Sequence, residues 1–305
     1  MSKKKCDELL DEFKLDKLEN KAKKLKFVLN EKKDVYNITA PFNICGEKVI
    51  AGRVEARDSE DSKIMFFKEV ENEWRVIEET PVFDLQDPFV TQINGELVLG
   101  GVEIYETGNA DAPICYRTVF LKGDTLNNLE RFAVGPDRMK DIRLLQLPNN
   151  KILVFTRPQG EIGGRGTIGY LIIDNLEELT IENIESAKLL DDMFYEDEWG
   201  GANELHLLED GTVGVLSHIA KFDDEGNRHY YSSVFTFNYE TSEYSDMKLI
   251  AVRDEFEEGA FKRPDLIDVI FSGGLIRKDN GQAELYCGVS DAEAHKILII
   301  DPFKN

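Results

Sequence analysis

Residues 87–103 read DPFVTQINGELVLGGVE: an acidic head, an apolar run, the turn Asn94-Gly95, and a second apolar run that ends at Glu103. Apolar and polar residues alternating on both sides of an Asn-Gly step mark a β-hairpin. The same plan returns at Asp141 as DIRLLQLPNNKILVFTRP, at Asn203 as NELHLLEDGTVGVLSHI, and at Asp268 as DVIFSGGLIRKDNGQAELYCGVSD. A shorter copy, APFNICGEKVIAGRVEAR, runs from Ala40 to Arg57. The hairpin therefore recurs five times, and the later copies lie about 50 to 65 residues apart, enough chain for four strands each. That spacing predicts an all-β fold, a five-bladed β-propeller.

In such a ring the first strand of each blade lines a central channel. The heads Asp87, Asp141, Asn203 and Asp268 are then expected at one channel mouth. The ends of the second strands, Arg53, Glu103, Arg157, His218 and Asp291, are expected beside them, because a short hairpin returns its ends to the same side. An alternating β/α fold is excluded, since no helical pattern of 10 to 15 residues separates the strands. A two-sheet sandwich is the remaining alternative.

The ring is expected to occupy residues 34–305 as a single domain, after an N-terminal extension over 1–33. Leu9, Leu10, Phe13 and Leu18 stand near helical spacing in that extension and predict a short helix. Local helical turns are expected only at Asp254–Glu258 and around Ala187–Phe194.

Charge and composition narrow the partners. The net charge is −22, which repels nucleic acid and anionic membranes, so neither is expected to bind. Any phosphate-bearing substrate would need a basic island within this acidic surface. No apolar run is long enough to span a bilayer, and MSKKKCDELLDEF has no apolar core of a signal peptide. Cys6, Cys45, Cys115 and Cys287 are scattered, without a C-x-x-C pair, which suits a reducing cytoplasm. His206 and His218 lack the spacing of a metal site, so no metal is expected. Gly164–Gly169 spells G-x-G-x-x-G but runs into Tyr-Leu-Ile-Ile, a strand, where a dinucleotide site needs a helix. The glycines beside Arg157 read either as an anion-binding loop or as plain surface loop. No cofactor is called for.

Asp87-Pro88 is the first candidate for chemistry: a carboxylate heading a channel strand, with a proline that biases it toward extended backbone. Arg53 and Glu55 share one strand face, as an ion pair or as part of a site. Arg143, Arg157 and His218 are candidate anion holders, since a guanidinium fork matches phosphate. Trp199, Tyr230, Tyr231 and Tyr105 could stack on sugars or pack the blades. No nucleophile elbow and no Cys/His pairing supports acyl chemistry.

Asp34-Val-Tyr-Asn-Ile-Thr-Ala-Pro-Phe42 and Gly52-Arg-Val-Glu-Ala-Arg-Asp-Ser59 resemble the bacterial and trypanosomatid family filed as domain of unknown function 1861, associated with mannosyltransferase–phosphorylases of β-1,2-mannan metabolism. The resemblance extends from about Asp34 to Phe303. More distantly, Gln86-Asp-Pro-Phe89, Lys140-Asp141, Thr156-Arg-Pro158, Ser217-His218, Asp268–Phe271 and Gly288–Asp291 are similar, in order, to marks of the β-mannoside phosphorylases of glycoside hydrolase family 130. Phe89 and Thr156 depart from it, standing where that family has arginine and histidine.

The resemblance implies a five-bladed propeller with one catalytic carboxylate, Asp87. It further implies substrate contacts from Asn37, Arg53, Glu55, Asp141, Asn203, Glu204, Asp268 and Tyr231. Phosphate would be held by Arg143, Arg157, Arg165 and His218. The implied activity is inverting exchange between β-mannosides plus phosphate and α-mannose 1-phosphate. Its partners would be mannose-containing oligosaccharides, phosphate or mannose 1-phosphate, and a nucleotide sugar as a further donor. Two other functions stay open: a glycosidase that uses water with Glu55 or Glu204 as a second carboxylate, and a non-catalytic sugar-binding propeller.

Overall fold

The computed structural model describes residues 3–15, 21–110 and 112–304. Five sheets, antiparallel but for one short parallel pair in the first, form the blades of a propeller. Every repeated hairpin becomes the inner pair of a blade. In the second blade Gln86–Ile93 pairs with Glu96–Glu106, followed by Ile114–Gly123 and Glu130–Val134. The third blade is Arg143–Gln146, Ile152–Thr156, Gly169–Ile173 and Lys188–Leu189. The fourth is Glu198–Leu207, Val213–Phe222, Arg228–Phe237 and Lys248–Ala251. Asn94 and Gly95 both have positive φ, 54° and 82°, the backbone that a two-residue hairpin turn requires.

The ring closes through the N-terminal segment. Ile270–Arg277, Gln282–Val289 and Glu293–Ile300 make three strands of the fifth blade, and Lys21–Lys24 pairs with Glu293–Ile300 as the fourth. Phe27–Val28 runs parallel to Trp74–Arg75 on the first blade, whose central strand Glu47–Glu55 carries both Asp34–Tyr36 and Phe42–Ile44. The segment read from sequence as an extension over 1–33 thus supplies strands to two blades. First and last blades are held together by hydrogen-bonded chain from opposite ends of the sequence.

The helix spans Cys6–Leu15, with Asp7 and Glu8 in its first turn and Lys14 in its last, as the helix dipole favours. Cys6 and Leu9 are buried against Ile219, Tyr231, Leu249 and Val252 of the fourth blade. Leu10 and Phe13 pack at the edge of that cluster; Leu18 lies outside the described residues. A buried carboxylate, Glu198, accepts from the Cys6 backbone N–H at 2.6 Å and fixes the helix start. The turn expected near Asp254 is a 3-10 turn at Arg253–Glu255. The helical turn expected over Ala187–Phe194 falls earlier, at Ile181–Glu185, and Lys188–Leu189 is a strand. Thr180 caps that earlier helix by accepting from Asn183 N–H, a start signal that apolar spacing alone did not reveal.

Between blades the packing is apolar. Phe155, Phe235 and Phe237 fill one wedge, and Phe66, Leu99 and Val119 another. The channel mouth is where polar side chains gather.

Candidate active site

At one end of the channel a cavity of about 220 Å³ opens. It continues into a wider vestibule of about 510 Å³, and Gln86, Lys140, Arg157, Arg228 and Tyr230 border both. The first, second, third and fifth blades each place a residue in left-handed backbone here: Asn37 (φ 44°), Asp87 (49°), Asp141 (59°) and Asp291 (48°). Non-glycine residues rarely adopt this conformation, and such strain gathers where side chains must be aimed. Asp87 is therefore not in the extended backbone that Pro88 was expected to favour. It sits in a bulge, where the pairing of Gln86 with Val102 and Phe89 with Gly100 skips residues, and the bulge turns its carboxylate into the cavity.

Asp87 Oδ1 accepts from Asn37 Nδ2 at 2.8 Å and from Arg53 Nη1 at 3.1 Å. Among the described residues Oδ2 has no hydrogen-bond partner. Asn37 can lie so close because Gly288 has no side chain; a Cβ there would fall 1.9 Å from Asn37 Oδ1. One carboxylate is thus clamped by one oxygen, leaving the other to a ligand.

Across the cavity the charges are positive. Arg157 Nε donates to Gly200 O at 2.8 Å, while its Nη1 approaches Asp141 Oδ2 only to 3.5 Å and is buried without a hydrogen bond. Lys140 also lines the cavity and makes no hydrogen bond among the described residues. Burial alone would lower the Lys140 ammonium, but Asp141, Tyr230 and Asp87 together hold it above the ordinary lysine range. Burial alone would raise Asp141, but Arg157, Lys140, His218 and Arg143 keep it low and ionised. His218 stacks on Tyr230 at 5.6 Å, and its Nδ1 lies 2.8 Å from Asn203 Oδ1. Burial, reinforced by Arg157, Lys140 and Arg143 against the pull of Asp141, lowers its pKa to about 3. The ring is neutral at ordinary pH, so it is a hydrogen-bonding partner and not a cation. Gly201 gives both side chains room, since a Cβ there would lie 2.7 Å from Arg157 Cδ and 3.0 Å from His218 Cε1.

Asn37, Arg53, Asp87, Asp141, Arg157 and His218 all border this cavity, and Arg165 borders the vestibule. Other expected site residues are engaged elsewhere. Glu55 is buried, and Arg53, Lys262, Ser62 and Tyr36 all donate to it. Burial alone would raise Glu55, yet Arg53 and the three hydrogen bonds hold it low. Glu204 accepts from Leu275 N–H at 2.6 Å, bracing the fourth blade against the fifth. Arg143 donates to Asn203 O and Ile142 O and lies over the Phe89 ring at 4.1 Å, behind the cavity wall. Asn203 stands behind His218. Glu103 pairs with Arg117 and Arg131 within its own blade.

Asp268 turns outward, its Oδ2 2.5 Å from His229 Nδ1 and 3.3 Å from the Tyr231 hydroxyl; Phe271 faces the cavity instead. Tyr231 is buried under the N-terminal helix, and its neighbour Tyr230 lines the site, as alternation on a strand demands. Tyr230 was one of four aromatics expected to stack on sugars or pack the blades, and it lines the cavity; sequence reasoning did not place Lys140, Lys262, Arg263 or Glu60 in the site. Lys140 was within reach, because it precedes a channel head. Lys262, Arg263 and Glu60 lie on loops whose meeting depends on ring closure, and no local pattern marks them.

Among the described residues no group of three or more His, Cys, Asp or Glu is placed to hold a metal ion, and no helix is long and apolar enough to cross a membrane.

The chain is similar to a mannose phosphorylase from Leishmania mexicana, solved with a phosphate ion: 34% identity, covering 97% of this chain and 93% of that one, with a TM-score of 0.89. It is similar to a GDP-Man-dependent mannosyltransferase of the same organism at 32% identity, covering 99% and 97% of the two chains, with a TM-score of 0.89. The fold is shared with a β-1,2-mannobiose phosphorylase from Listeria innocua, at 16% identity, 92% and 91% coverage, and a TM-score of 0.62. No match was found among curated proteins. Residues 11–305 match the family described as Protein of unknown function (DUF1861), and the chain belongs to that family.

Proposed function

We propose that this protein is an inverting β-1,2-mannoside phosphorylase and mannosyltransferase, exchanging a mannosyl group between a β-mannoside and phosphate. One observation carries the reading: a single clamped carboxylate, Asp87, shares a cavity with Arg157 and Lys140, two cationic side chains with donors to spare. Similarity at 34% and 32% identity to a mannose phosphorylase and a mannosyltransferase supports mannosyl transfer as the reaction class.

In phosphorolysis, phosphate held by Arg157, Lys140 and the neutral His218 ring attacks the anomeric carbon. The bond from that carbon to the glycosidic oxygen breaks, and the oxygen takes a proton from Asp87, relayed through a sugar hydroxyl. Asp87 is left as the carboxylate that Arg53 and Asn37 stabilise. In the reverse direction it takes the acceptor's proton as general base. Attack opposite the leaving group converts a β-mannoside into α-mannose 1-phosphate. A nucleotide sugar could enter as donor through the vestibule that continues from the phosphate side.

Hydrolysis by two carboxylates loses its candidates. Glu55 has four donors on its oxygens, and Glu204 is bound to the Leu275 amide. Of the remaining acids in the cavity, Asp141 faces Arg157 and Arg143, and Glu60 is paired with Lys262, Arg263 and Arg53. Asp291 is raised by burial, helped by Asp87 and opposed by Arg53. The test is to incubate the protein with β-1,2-mannobiose, with and without phosphate. The reading expects mannose 1-phosphate only when phosphate is present; equal release of free mannose in both would refute it.

A further inference from the structure

The cavity has two cationic walls, and only one is free to take an anion. Lys140 and Arg157 form the first, with the open donors described above. The second is Arg53, Lys262 and Arg263, joined at its edge by Arg228. Here every charge has a carboxylate: Glu55 serves Arg53 and Lys262, Asp87 serves Arg53, and Asp265 serves Arg263 and Arg228. Glu60 completes the set. Its carboxylate reaches Lys262 at 3.0 Å, Arg263 at 3.5 Å and Arg53 at 3.6 Å. Four cations thus face four carboxylates. Glu55 and Asp87 have donors outside the cluster as well, and Asp265 meets only Arg228 and Arg263 away from the cavity lining; Glu60 touches three of the cations, borders the cavity and has a side chain 65% exposed.

Resting on the phosphorolytic reading above, we propose that Glu60 is a specificity-determining residue that keeps anions off the Asp87 side of the cavity. Phosphate is thereby confined to Lys140 and Arg157, and neutral sugar hydroxyls meet Asp87. The physical reason is that a phosphate or an anionic sugar carries the same kind of oxygens at the same reach as Glu60. Without that residue, Lys262, Arg263 and Arg53 would present one uncompensated charge to whatever enters. A carboxylate tethered to the loop that also supplies Ser62 to Arg53 stays at high local concentration and outcompetes free anions. Lys262 and Arg53 are buried and already paired with Glu55, so Glu60 is a further contact that reaches them from the solvent side. The site contact is therefore the better account of three convergent cations on one exposed acid. Asp291 borders the same wall, but among the described residues it makes no ion pair with Arg53, Lys262 or Arg263, so it does not replace Glu60.

The experiment is equilibrium dialysis with labelled inorganic phosphate on the full chain, comparing the unaltered protein, Glu60→Ala and Glu60→Ala with Arg263→Ala. Folding is checked by circular dichroism, and the exposed position of Glu60 makes loss of fold unexpected. The inference expects one phosphate per chain for the unaltered protein, two for Glu60→Ala, and one again for the double variant. One phosphate on both the unaltered protein and Glu60→Ala overturns the inference and leaves the phosphorylase reading standing. Two on the unaltered protein overturns it as well. None on the unaltered protein but one on Glu60→Ala upholds the role of Glu60 and removes the phosphorylase reading. None on either removes both.

Discussion

Asp87 shows how one residue can be legible in type and illegible in posture. Its place as the acidic head of a hairpin was readable; its left-handed backbone was not, because Pro88 argues for extended chain and only the bulge overrides it. Replacing it, Asp87→Asn, keeps the shape and removes the proton carrier. Turnover should fall by about 10²–10⁴, while phosphate binding, measured by dialysis, persists. Arg157 and Arg143 looked alike in sequence, yet one lines the cavity and the other is spent on Asn203 O and the Phe89 ring. Arg157→Met should therefore raise the KM for phosphate by about 10–100-fold, the worth of a hydrogen bond to a charged group. Arg143→Met should instead lower Tm and leave that KM within a small factor. His218 gives a pH signature. Its folded pKa, about 3, lies below the ordinary imidazole value of about 6.5, so the unfolded chain binds the extra proton first. The stability that His218 contributes is then complete above about pH 6.5 and is lost as pH falls toward 3. Thermal unfolding of His218→Gln should show a shallower acid slope across that window.

At the level of elements, hairpins were legible because their signal is local: alternation and a turn dipeptide specify both strands. Contacts between elements were not. Nothing local indicates that Lys21–Lys24 completes the fifth blade, or that the N-terminal helix covers the strand bearing Tyr230 and Tyr231. Two adjacent tyrosines offer the same chemistry, and only the register decides which one faces the cavity. The helix contact is testable through Leu9, which is 3% exposed. Leu9→Ala should cost about 2–4 kcal/mol of stability by the usual cost of emptying an apolar site, read by urea unfolding. Gly201 tests the opposite side of the same blade. Gly201→Ala sets a methyl against Arg157 and His218, so it should raise the phosphate KM several-fold with the fold intact by circular dichroism.

Across the whole molecule, the −22 charge and an anionic substrate are reconciled by position. Salt screens exposed charge beyond about 8 Å at physiological strength, whereas six cationic and four acidic side chains lie together around the cavity. The ring brings residues from all five blades to that point, and the sequence could announce the ring but not which loops would meet across it. Under the proposed function, phosphate attacks the sugar from the side opposite the bond that breaks. Proton and phosphorus NMR of the first product formed from β-1,2-mannobiose and phosphate tests it most directly. α-Mannose 1-phosphate should appear in step with free mannose. A β-configured phosphate, or mannose released with no phosphorylated partner, would contradict it.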